Sequence, residues 1–127
     1  MRRFSSYLFK TRTIMSGPEP GTAIEHFHSG AWEPPVDIFE QPDRIIVVVE
    51  LPGVERDEVS VVVQQGVLEI TGMRPKRIPE ATERVHQMEI AYGHFARYVQ
   101  LPHCSDPERI EAELKDGYLT IEIPREP

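Results

Sequence analysis

Twelve prolines and eight glycines punctuate this chain, nearly all between short apolar runs, and leave no room for a long helix. The runs alternate apolar and polar residues or cluster β-branched ones, which is the pattern of strands. VDIFE (36–40) is the first. RIIVVVEL (44–51) is apolar on both faces, which places it inside a sheet, and Pro52-Gly53 stops it. EVSVVVQ (58–64) and VLEITGM (67–73) flank Gln65-Gly66, and HFARYVQL (94–101) ends at Pro102. IEAEL (110–114) and YLTIEIP (118–124) flank Asp116-Gly117. Only one-turn helices fit, at ERDE (55–58) and DPER (106–109). Seven or eight short strands at this spacing predict an all-β chain folded as an antiparallel sandwich.

Two of the hairpins share a pattern. With Gly66 placed over Gly117, Val59, Val61 and Val63 fall over Ile110, Ala112 and Leu114, and Leu68 and Ile70 over Leu119 and Ile121. Each pair has glycine at a turn position that needs positive φ, which fixes the register. The same parity settles the role of Ile121-Glu122-Ile123. Both isoleucines continue the inward positions set by Leu119, so this is a core strand and not a free apolar anchor. Glu69, Glu111, Glu113 and Glu122 then read as solvated strand faces.

Two segments stand outside the strand pattern. Residues 1–32 lack periodicity and read as a flexible N-terminal arm, poorly ordered alone. Its large apolar residues, Phe4, Tyr7, Leu8, Phe9, Ile14 and Met15, make it adhesive. The second segment, RPKRIPEATERVHQMEIAYG (74–93), is much longer than a typical connection of about 4–6 residues. Within it RVHQMEI (84–90) has the makings of an extra strand. That suits exchange with a second subunit, and a long surface loop is the alternative.

The net charge of −7 argues against a general nucleic-acid binder, which needs a basic face for phosphates. The charge is uneven: residues 1–15 carry Arg2, Arg3, Lys10 and Arg12 and no acid. Cys104 is the single cysteine, so no intrachain disulfide forms, which favours an intracellular setting. Lys10 and Arg12 interrupt any secretory signal, and no run approaches the roughly 20 apolar residues that span a bilayer. The expectation is a cytoplasmic protein with no membrane partner.

No phosphate-cradling glycine motif occurs. His26-x-His28 lacks the further ligands of a metal site, and His103-Cys104 are sequence neighbours with no third group to orient them. The expectation is no enzyme, no metal and no cofactor. What remains is binding surface. Val59, Val61, Ile110 and Ala112 either line a shallow apolar groove, with the small Ala112 leaving space, or are plain core.

The motifs W-E-P-P-V-D-I-F-E (32–40), E-L-P-G-V (50–54), G-V-L-E-I-T-G (66–72), Y-G-H-F-A-R-Y-V-Q-L-P (92–102) and A-E-L-K-D-G-Y-L-T-I-E-I-P (112–124) occur in one order. Together they resemble the small heat-shock protein, or alpha-crystallin domain, family of bacterial type. The resemblance covers about 90 residues and ends in the specific A-x-x-x-x-G-x-L pattern. It implies an immunoglobulin-like β-sandwich of seven to eight strands with a long, strand-bearing dimerisation loop. It also implies an ATP-independent chaperone that holds partly unfolded client proteins and suppresses their aggregation under stress. The implied domain is 33–124, after the arm 1–32. The exchanged strand would include Arg84, Val85, His86, Met88, Glu89 and Ile90, and Arg97 would lie near the dimer interface. Val59, Val61, Ile110 and Ala112 match the family's docking groove.

Two departures qualify the match. The family usually shows E-R before Y-G, whereas Ile90 follows Glu89 here. The family's C-terminal tail usually carries an I-x-I anchor, whereas 125–127 is only a vestige of one. A homodimer or small oligomer is therefore expected. A co-assembling accessory subunit or adaptor on the same sandwich, partnering a longer tailed paralogue, is the alternative.

Overall fold

The computed structural model describes residues 4–5, 13–14, 30–102 and 106–125. Its strands are β1 (Phe4–Ser5), β2 (Thr13–Ile14), β3 (Val36–Glu40), β4 (Arg44–Glu50), β5 (Val59–Gln64), β6 (Val67–Arg74), β7 (Gly93–Gln100), β8 (Glu111–Lys115) and β9 (Tyr118–Pro124). One sheet has the order β1-β8-β9-β4-β3 and the other β2-β5-β6-β7. All pairings between β3 and β9 are antiparallel, which is the expected sandwich. One-turn 3₁₀ helices stand at Arg56–Glu58 and Pro107–Arg109, and the Asp106 side chain caps the second by accepting from the Glu108 N–H at 3.3 Å.

The hairpin register follows from turn chemistry. Gln65 and Gly66 have φ of 52° and 78°, and Asp116 and Gly117 have 53° and 83°. Both central residues lie at positive φ, so each turn is the two-residue type whose twist matches its strands. Gln64 pairs with Val67 and Lys115 with Tyr118, in the register that aligning the two glycines predicts.

Inward positions meet in one core. Val47, Val49, Leu119, Ile121 and Ile123 of the larger sheet are buried against Val61, Leu68, Ile70 and Phe95 of the smaller. Ile121 and Ile123 are fully buried, so the C-terminal Ile-Glu-Ile is core strand. Gly72 permits the closest approach. A Cβ there would collide with the Glu58 carbonyl oxygen and the Phe95 ring, so only glycine lets β6 pass.

The structure departs from the sequence expectations at two points. Residues 84–90 form no strand within the single chain. Glu113 is not solvated: it is 4% exposed on the face that alternation assigns to water.

Candidate functional site

The long connection between β6 and β7 is fixed at its root and exposed along its length. Arg74, the last residue of β6, donates from Nε and Nη2 to the Ala91 carbonyl at 2.9 and 2.7 Å. Its Nη1 donates to the Pro52 carbonyl at 3.2 Å, and its guanidinium lies 4.2 Å from the centre of the Trp32 ring. Trp32 donates from Nε1 to the Gly93 carbonyl at 3.3 Å and packs on Phe95 with ring centres 5.4 Å apart. Both ends of the loop thus share one aromatic and cationic clamp.

Beyond that clamp the loop displays apolar side chains. Ile78, Val85 and Met88 are about half exposed, and Ile90 is 63% exposed. With Tyr92 they border an open concavity of about 450 Å³ whose rim carries Arg84, His86 and Glu89. Apolar side chains gathered on one loop with a charged rim mark an interaction surface. All six loop residues singled out from the sequence therefore lie together. Arg97 stands apart on β7, opposite Ile70 and so on the inward parity, and its guanidinium emerges at the sheet edge to meet Glu33 at 3.8 Å.

A second exposed apolar feature escaped the sequence reading. Ile38 and Phe39 on β3 are 50% and 51% exposed, and among the described residues β3 pairs on one side only, with β4. Ile38 shares the inward parity of its partner Val47, yet the opposite sheet does not reach over it. Two adjacent apolar residues, which put one on each face of a strand, were the available signal. A strand edge of this kind is a template for another strand.

Val59 and Val61 on β5 and Ile110 and Ala112 at β8 are buried in the core cluster. The edges of β5 and β8 lie on the side of the sandwich away from β3, since a bridge from Trp32 to Phe95 ties β7 to the chain entering β3. Both edges carry pieces of the N-terminal arm. Phe4 pairs with Ala112 and Ser5 with Glu111, antiparallel, while Thr13 pairs with Val63 and Ile14 with Gln64, parallel. Tyr7, Leu8, Phe9 and Met15 lie outside the described residues, as do His26, His28, His103 and Cys104. Among the described residues no group of three or more His, Cys, Asp or Glu is placed to hold a metal, and no helix is long and apolar enough to cross a membrane.

Comparison with known proteins gives a consistent picture. The model of the Hsp20/alpha crystallin family matches residues 37–127. The 18.1 kDa class I heat shock protein of Oryza sativa subsp. japonica is 37% identical over 92 residues, covering 72% of this chain and 57% of the relative. Small heat shock protein C4 of Rickettsia felis is 33% identical over 100 residues, covering 79% and 61%. The chain therefore spans under two thirds of the length of these relatives. Among solved structures, a small heat-shock protein from Xylella fastidiosa superposes with a TM-score of 0.69 at 34% identity, covering 77% of this chain and 90% of that one. HspA from Xanthomonas axonopodis gives 0.69 at 34% identity, covering 76% and 96%.

Proposed function

This chain belongs to the Hsp20/alpha crystallin family, and from that premise we propose that it is an ATP-independent holdase that binds partly unfolded proteins and keeps them from aggregating. The observation that carries the reading is apolar surface held on an open-edged sandwich: Ile78, Val85, Met88 and Ile90 on a clamped loop, and Ile38 and Phe39 on an unpaired edge. These two features complement each other. A loop that has strand-like sequence at 84–90 but no strand in the single chain, and a β3 edge that pairs with no further described strand, fit a homodimer in which each copy's loop completes the other's β3. The apolar side chains of loop and edge would then be covered across the subunit boundary.

Client contact falls to the arm first, through Phe4, Tyr7, Leu8, Phe9, Ile14 and Met15, and to the groove of Val59, Val61, Ile110 and Ala112 second. Covering roughly 300 Å² of apolar client surface is worth about 7 kcal/mol before the cost of association. That is enough to compete with a client's weak self-association. The groove would also accept an I-x-I anchor from a longer paralogue once Phe4–Ser5 and Thr13–Ile14 give up the edges of β8 and β5, since an added apolar strand uses the same two edges.

The test is light scattering from a heat-unfolding client without ATP. Suppression at near-stoichiometric amounts for two unrelated clients is the expected result. Aggregation of both at the unassisted rate, with this protein still folded, overturns the reading.

A further inference from the structure

Glu113 breaks the rule that β8 otherwise follows. It is 4% exposed, and neither carboxylate oxygen finds a hydrogen-bond partner among the described residues. Strand register places it on the outer face of the larger sheet, in one row with Thr120 of β9 and Val48 of β4. The next row holds Lys115 and Tyr118, and these residues, with Asp116 of the turn, line an open concavity of about 490 Å³. All of them lie among the described residues. A carboxylate taken out of water without a partner is strongly disfavoured, and a cation brought to it offsets the cost. Lys115 stands two positions along the same face, yet it leaves both Glu113 oxygens unbonded.

The lining specifies which cation. Two unbonded oxygens on one carboxylate match the planar fork of a guanidinium, which donates two parallel hydrogen bonds, better than they match an ammonium. The exposed Tyr118 ring offers its face to the same group, and Val48 offers apolar surface to an aliphatic stem. The surroundings favour a positively charged, partly apolar visitor. The same face carries Asp37, Glu50, Glu111 and Glu122, while Arg44 is already engaged by Glu122 at 3.4 Å. Phe39 and Ile46, paired across β3 and β4, extend the apolar ground beyond Val48.

We propose that this concavity binds an arginine side chain carried on an extended, otherwise apolar segment of an unfolded protein. Glu113 receives the guanidinium through both oxygens, Tyr118 covers its face and Val48 takes the stem. Apolar residues beside that arginine then settle on Ile46 and Phe39. The outer face of the larger sheet thereby selects among clients: segments with arginine between apolar residues bind in preference to purely apolar ones. Only the source of the segment depends on the holdase reading, because an arginine peptide reports on the site by itself.

The experiment is fluorescence anisotropy of the full chain with a short labelled peptide that holds one central arginine among valines and leucines. Its twin carries citrulline, which keeps the shape and loses the charge. The wild type should bind the arginine peptide about tenfold more tightly than the twin. Glu113→Gln should abolish that preference and leave citrulline binding as it was. Tyr118→Ala should reduce the preference about threefold, and since Tyr118 is exposed this variant keeps the test intact where Glu113→Gln fails to fold. Equal binding of the two peptides by the wild type, or a preference left unchanged by either variant, overturns the inference. A preference that fades as protein concentration rises assigns the site to a second copy and overturns the client assignment. Light scattering separates the two claims. Suppressed aggregation without an arginine preference removes this site and leaves the holdase reading standing, whereas a preference without suppression leaves the site and overturns its client.

Discussion

Arg74 places its guanidinium 4.2 Å from the centre of the Trp32 ring while two of its nitrogens hold the Ala91 carbonyl. One side chain thereby joins the end of β6, the entry to β7 and the segment leading into β3. The loop's length is tolerable because its ends are closed by this clamp, so its exposed centre is presented from a fixed root.

Replacing Arg74 with alanine removes three charge-assisted hydrogen bonds and the ring contact. A loss of about 2 kcal/mol is expected from denaturant titration, because the exposed portion of the group is solvated in either state. Arg74→Lys should recover only part of it, since an ammonium cannot reproduce the planar fork.

Ile121→Ala tests the role of the C-terminal Ile-Glu-Ile. Ile121 is fully buried opposite Val47 and Ala112. A core strand predicts a loss of about 2–5 kcal/mol in folding stability. An anchor serving only assembly would leave the stability of the sandwich within about 0.5 kcal/mol and change only the mass in solution.

Tyr98 supplies a pH signature. Burial raises the pKa of its phenol, and the Glu69 carboxylate on the neighbouring strand raises it further. The fold thus favours the protonated phenol. That contribution is complete below the unfolded tyrosine value near 10 and is lost as pH climbs through the higher folded value. Denaturant midpoints at about pH 8 and pH 10.5 should therefore fall less in Tyr98→Phe than in the wild type. Equal falls would contradict the assignment.

The strands were legible because local signals agreed with the global fold. Gly66 and Gly117 announced their turns, and alternation around them fixed which residues face inward. Ile121 and Ile123 could be assigned to the core from parity alone. What was hidden depends on partners far along the chain. Phe4 lies opposite Ala112 across 108 positions, and a two-residue pairing leaves no periodic trace. Glu113 reads as solvated because alternation reports which face a residue is on, not what covers that face. Residues 84–90 read as a strand because their composition is that of one, but composition cannot say whose edge they join. Ile38 and Phe39 belonged to a recognised strand, yet their exposure follows from β3 lying at the margin of the sheet.

The central claim is that the exposed loop and the open edge are two halves of one subunit contact. Native mass spectrometry of the full chain, compared with the double variant Val85→Asp and Ile90→Asp, tests it most directly. Even-numbered assemblies are expected for the wild type and monomers for the variant, with the sandwich still folded and its thermal midpoint no longer dependent on protein concentration. A monomeric wild type, or a variant that keeps the wild-type mass, would contradict it.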